Sequence, residues 1–172
     1  MAGNGMKIKT SLLVKAIPPW ILGIPGEPDS PTLIEQELAE LGATARVLQG
    51  MRMRTVDELL SEFAFRFQFP AYFGRNWDAL TDCLTDLSWL PGLAYVVVID
   101  QARYLLDSEA TNTTGLFLHV MEEVSERWAA PINLGEEWDR PSVPFHVLLR
   151  ESPGNVKEMG QRFRSPTAEL VS

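Results

Sequence analysis

"AYVVVID", residues 94–100, is an unbroken apolar run that ends on a carboxylate. A strand with one wet face alternates apolar and polar residues, so a continuous run predicts a strand covered on both faces. "WILGIP" (20–25), "TARVL" (44–48) and "VPFHVLLR" (143–150) read as further strands, with helical periods between them. Strands alternating with helices predict an α/β domain with a small, mainly parallel sheet of three to four strands packed with helices.

The helical periods carry their own boundary signals. Ser30 is placed to cap a helix whose first position is Pro31, with Ile34, Leu38 and Leu41 at helical spacing and Gly42 as the stop. Thr55 with Glu58 three residues on forms a capping-box pattern, followed by the apolar stripe Val56, Leu59, Leu60, Phe63, Phe67. "QFPAYFG" (68–74) breaks that period and makes a loop rich in aromatic side chains; Asn76 then caps a helix over 77–87. The polar stretch "DSEATNTTG" (107–115) reads as a loop, and Phe117, Val120, Met121, Val124 and Trp128 mark a helix over 115–129. Residues 1–17 read as a loosely held arm, and 151–172 as a polar tail with a helix around 155–164. The organisation is an N-terminal extension over 1–43, able to hold an extra strand and helix, a central domain over 44–150, and the tail.

The chain has 172 residues, 45% of them hydrophobic and 22% charged, which suits one globular domain with a sizeable core. A net charge of −8 disfavours direct binding to nucleic acid or anionic lipid and favours a basic partner. One cysteine, Cys83, excludes an internal disulfide and a Cys-rich zinc site. No apolar stretch is long enough to span a membrane. The apolar run Leu12–Ile17 is broken by Lys15 and stopped by Pro18-Pro19, unlike a secretory signal, so a cytoplasmic protein is expected.

"YFGRNWDALTDCLTD" (72–86) poses the functional question. At about 100° per residue, Trp77, Leu80, Leu84 and Leu87 share one side of the helix, and Asp78, Asp82, Thr85 and Asp86 share the other. Like charges four residues apart cost a helix a few tenths of a kcal/mol. The dipole favours Asp78 in the first turn, but Asp82 and Asp86 lie beyond its help, and neither has a Lys or Arg three or four residues away. The stripe is either ordinary solvated surface or the complement of a cationic cleft.

"FPAYFGRNWDALTDCLT" (69–85), followed by Pro91 and an apolar strand, resembles the barstar family of small intracellular inhibitors of secreted ribonucleases. The resemblance runs from about residue 44 to 150. It implies a barstar-like fold, no cofactor or metal, no enzymatic activity, and a monomer when free. The implied partner is a cationic ribonuclease, whose active site the helix and its preceding loop plug; the alternative is a binding module for a related basic toxin or a regulator. Tyr72, Phe73, Gly74, Asn76, Asp78 and Asp82 match the family pattern, with Asp82 as the expected deepest anchor. Thr81 belongs to the implied binding helix at a position where a large aromatic side chain occurs in the family. Glu123 aligns with a further acidic contact, with Glu122 beside it as the alternative. Arg75 departs from the pattern by placing a cation next to the anionic face.

Asp100 ends a buried strand, where open α/β sheets often place ligands, so a magnesium site with Asp78 or Asp82 for phosphoryl transfer is the rival reading. No Gly-rich phosphate loop accompanies it. Cys83 leans to the apolar flank of its helix and reads as a small packing residue. His119 and His146 show no ligand spacing.

Overall fold

Six strands and five helices order the described residues, 6–27 and 31–171, of the computed structural model. They run β1 (Met6–Lys9), β2 (Ile21–Pro25), α1 (Pro31–Glu40), β3 (Thr44–Gln49), α2 (Val56–Arg66), α3 (Trp77–Asp86), β4 (Tyr95–Asp100), α4 (Thr111–Ala129), β5 (Phe145–Glu151), α5 (Val156–Phe163) and β6 (Ala168–Val171). The main sheet has the order β2-β5-β4-β3, and each of its pairs is parallel. This is the small parallel α/β sheet the sequence predicts. The proposed Ser30 cap lies outside the described residues, but Pro31 does open α1.

Every residue of β4 and β5 is buried, because both faces of these central strands are covered. Alternation divides the side chains between two cores. Tyr95, Val97, Ile99, Phe145, Val147 and Leu149 pack with Leu59 and Phe63 of α2, Leu80 and Leu84 of α3, Phe117 of α4 and Phe163 of α5. Val96, Val98 and Leu148 turn the other way, onto Leu38 of α1, Leu13 and Ala168. Burying one such side chain contributes roughly 1.5–3 kcal/mol.

Three expectations change at the periphery. From residue 6 onward the arm is not loose: β1 pairs in parallel with β6, and Leu13 is fully buried. The tail forms α5 near the predicted place and also β6, whose "AELV" carries no clear alternation. Helix α4 begins at Thr111, inside the predicted loop. Thr114 is buried there, so packing overrides the weak helix propensity of Thr, Asn and Gly.

Side chains close the exposed edge of the sheet. The outward N–H groups of Val47 and Gln49 on β3 donate to the carboxylates of Glu35 on α1 (3.1 Å) and Glu62 on α2 (3.3 Å). An edge strand so capped is a poor template for another chain. The capping box holds as predicted: Glu58 N–H donates to Thr55 Oγ1 (3.2 Å), and Thr55 N–H donates to Glu58 Oε2 (3.1 Å). No helix among the described residues is long and apolar enough to cross a membrane.

His146 fastens the N-terminal segment to β5. Its ring is fully buried, with Nδ1 3.1 Å from the Pro19 carbonyl and Nε2 2.9 Å from the Lys15 carbonyl. Burial, the larger influence, holds its pKa below the ordinary 6.5, although the two carbonyls favour the charged ring. The unfolded chain therefore takes up the proton more readily. The stabilising contribution is complete above about 6.5 and is lost as pH falls from there through the folded pKa. Urea unfolding at pH 7.5 and 5.5 should show a loss of stability in the wild type that is smaller in His146→Gln. An equal loss in both would remove His146 as the cause.

Candidate functional site

An aromatic cluster sets the loop before α3. Phe69 packs edge-on against Phe73 (centroids 4.9 Å) and Trp89 (6.2 Å), and the Trp89 indole N–H donates to the Phe67 carbonyl at 2.8 Å. With Phe73 half-buried in this cluster, Tyr72 next to it is left 76% exposed. Gly74 is exposed and links the aromatic pair to the helix start.

Asn76 is the N-cap that the sequence predicts: its Oδ1 accepts from Ala79 N–H at 2.8 Å. The side chain thus satisfies one of the helix's orphan donors, and its main role is to hold α3. Leu80, Thr81, Cys83 and Leu84 face inward. Asp78, Asp82 and Asp86 face solvent, and none takes part in a salt bridge among the described residues.

Thr81 sits elsewhere than a contact residue would. Four residues on from Trp77 it shares that residue's side of the helix; it is 6% exposed, and its hydroxyl donates to the Trp77 carbonyl at 3.1 Å. Cys83 is buried, as its packing role requires. Burial first, and the neighbouring Asp82 and Asp86 after it, push its thiol pKa up, away from the reactive thiolate.

Arg75 does not neutralise the stripe. Its backbone is left-handed (φ 51°), and its Nη2 reaches back to α2, donating to Asp57 Oδ1 at 2.7 Å and Ser61 Oγ at 2.9 Å. The sequence reading missed Asp57 and Ser61 as site-shaping residues. They lie 18 and 14 residues away, beyond any local spacing rule.

Helix α4 packs on α3, and the Trp128 indole N–H donates to the Leu84 carbonyl at 2.8 Å. Glu123 lies on α4 but is ion-paired with Arg127 one turn on. Its charge is thus partly offset, unlike that of the three aspartates, and Glu122 is exposed beside it.

Asp100 belongs to a separate place. It is 2% exposed and accepts from Arg150 Nη1 at 3.0 Å. The cavity at these strand ends is about 120 Å³ and is lined by Gly26, Glu27, Asp100, Gln101, Arg103, Glu151 and Ser152, with neither Asp78 nor Asp82 in it. Among the described residues no group of three or more His, Cys, Asp or Glu side chains could hold a metal ion. The expected magnesium site of Asp100 with Asp78 or Asp82 does not assemble.

The site is thus an acidic, outward-facing helix preceded by an aromatic loop on a parallel α/β body. The family model described as "Barstar (barnase inhibitor)" matches residues 43–150, and the chain belongs to the barstar family. The Bacillus subtilis (strain 168) protein named "Putative ribonuclease inhibitor YrdF" is 27% identical over 82 residues, 48% of this chain and 90% of that protein. Among solved structures, the Aeropyrum pernix ORC2 protein superposes with a TM-score of 0.54 at 13% identity, covering 88% of this chain and 41% of that one. Cdc6p from Pyrobaculum aerophilum gives a TM-score of 0.49 at 13% identity over 87% of this chain and 38% of its own. At such identity the ORC2 likeness is one of fold alone.

Because the Asn76 side chain caps α3, Asn76→Ala should lower stability by about 1 kcal/mol, whereas Asn76→Asp should retain it. Urea unfolding of both variants checks this; an Ala variant as stable as the wild type would free Asn76 for another role.

Proposed function

We propose that this barstar-family chain is a non-enzymatic inhibitor that binds a cationic ribonuclease and blocks its active site with α3 and the Tyr72 loop. The observation that carries the reading is the row Asp78, Asp82 and Asp86, exposed and free of salt bridges among the described residues, while Arg75 is drawn back to Asp57 and Ser61. A ribonuclease holds phosphates with Lys and Arg. A carboxylate on a rigid helix can take charge-assisted, often bidentate, hydrogen bonds from those same groups. Asp82, in the middle of the row, is the central anchor. Asp78 adds a second anion, and Tyr72 offers amphipathic area with little conformational freedom to lose. Phe73 supports this surface from the aromatic cluster, Gly74 and Asn76 lie exposed beside Tyr72 at the helix start, and Glu123 contributes at its margin. The protein acts in the cytoplasm as a monomer without a cofactor, guarding its cell against a basic nuclease.

With barnase as the probe nuclease, calorimetry and inhibition of RNA hydrolysis should agree. Asp82→Ala should weaken binding by at least ~2 kcal/mol, the general threshold for an interface hot spot. Asp86→Ala should cost less. Folding should be unaffected or slightly improved in Asp82→Ala, since Ala is a better helix former and one repulsion disappears. The association rate should fall steeply with salt, because screening lengths shrink to ~8 Å at physiological ionic strength. Small, equal affinity losses for both variants would return the row to ordinary surface.

A further inference from the structure

The loop between α4 and β5 exposes more apolar surface than its construction requires. Leu134 is 72% exposed and Trp138 64%, with Glu136 and Glu137 between them. Neither glutamate forms a salt bridge among the described residues.

The loop is rigidly built. Ile132 and Arg140 exchange both backbone hydrogen bonds, at 2.8 and 3.0 Å, which closes its neck. Inside it the Asp139 carboxylate accepts from Leu134 N–H (2.8 Å) and Gly135 N–H (2.7 Å), bonds that hold its pKa below the usual carboxylate range. Gly135 has a φ of 77°, which a side chain would oppose. At the root, the Arg140 guanidinium lies 4.5 Å over the Trp128 ring and donates to the carbonyls of Arg127 (2.9 Å), Trp128 (3.0 Å) and Ala130 (3.2 Å). A loop ordered in this way loses little further freedom on binding. Trp is the residue type most at home in interface hot spots.

The root is also tied to the acidic helix. Trp128, under Arg140, is the residue whose indole N–H bonds the Leu84 carbonyl of α3. A ten-residue helix is only about 15 Å long. A stable interface takes roughly 800 Å² from each partner, spread over some 20–30 residues. The α3 face and Tyr72 alone fall short of that.

We propose that the 131–140 loop is a second contact arm for the same basic nuclease. Trp138 and Leu134 enter an apolar recess on the nuclease, and Glu136 and Glu137 face its cationic rim. This inference rests on the α3 reading above. A second copy of this chain is a poor occupant, since it would bring the glutamates of two chains of charge −8 together.

The test uses the full chain, with barnase as the probe in calorimetry, stopped-flow association and RNA-hydrolysis inhibition, beside thermal unfolding of each variant. Leu134→Ala/Trp138→Ala should unfold like the wild type yet bind at least ~30-fold more weakly, with an unchanged salt slope. Glu136→Gln/Glu137→Gln should associate more slowly and with a shallower salt dependence. Asp82→Ala separates the two readings. If it abolishes tight binding while the loop variants stay within ~2-fold of the wild type, the arm is overturned and the α3 reading stands. If only the loop variants lose affinity, the α3 reading falls and the loop remains a contact. A wild-type chain that leaves barnase fully active removes both. A concentration-dependent dimer that disappears with Trp138→Ala puts a second copy on the loop and also overturns the arm.

Discussion

The complete burial of β4 and β5 is the constraint from which the rest of this structure follows. A parallel strand whose side chains point both ways into apolar surroundings needs a cover on each face. The cover formed by α2, α3 and α4 comes from within the family-matched segment, 43–150. Much of the opposite cover comes from outside it: Leu13 and Leu38 precede that segment, and Ala168 follows it. β2, also from the N-terminal segment, supplies one edge of the same sheet, and Gly23 N–H on that strand donates to the Pro166 carbonyl. The flanking segments are thus joined to the sheet by backbone pairing and by apolar contact. The ion pair Asp100–Arg150 at the strand ends adds little net stability to set beside them, since removing two charges from water offsets most of their attraction.

The same constraint fixes α3. Its inner face is committed to the core through Leu80 and Leu84, so the aspartates have only solvent to face. Two non-glycine residues in left-handed conformation bracket the helix, Arg75 before it (φ 51°) and Leu87 after it (φ 46°). Such geometry costs of order 1–3 kcal/mol per residue and persists only where neighbours over-determine it. Leu87 is held by burial, and Arg75 by Asp57 and Ser61. The strain at Arg75 has a chemical consequence: the guanidinium is bound to α2 and does not neutralise Asp78, three residues on.

Where the signal was local, the sequence made the structure legible. The run 94–100, the capping box at Thr55, the Asn76 cap and the split faces of α3 were each readable, because alternation, capping and a 100° period act over a few residues. What escaped reading depends on distant contacts. β1 and β6 are four-residue strands, far apart in the chain, whose only partners in their sheet among the described residues are each other. The first turn of α4 is made of poor helix formers and forms because Thr114 finds a place in the core. Thr81 was legible in principle, since the period that turns Trp77 toward the core also turns position 81 inward. The family pattern drew attention instead to its place on the binding helix. The hold on Arg75 was not legible at all.

The burial of Thr81 also bears on how an inhibitory surface of this kind could be completed. Carboxylates steer and orient a basic partner, but in an interface much of what they gain is offset by lost hydration. Buried aromatic anchors add to the strength of such contacts. Where the family resemblance leads one to expect a large aromatic side chain at position 81, this chain has a small hydroxyl turned into its own helix. Past Tyr72, α3 therefore presents charge with little apolar area. The exposed Trp138 and Leu134, on a loop rooted at the helix's own neighbour Trp128, would supply that area in a different place if the proposed complex forms. In the proposed complex, recognition is divided: the helix reads the partner's charge, and the loop reads its shape. In that complex a nuclease with the right cationic cleft but no recess beside it would be steered correctly and held less tightly, and the loop would then bias the choice of target.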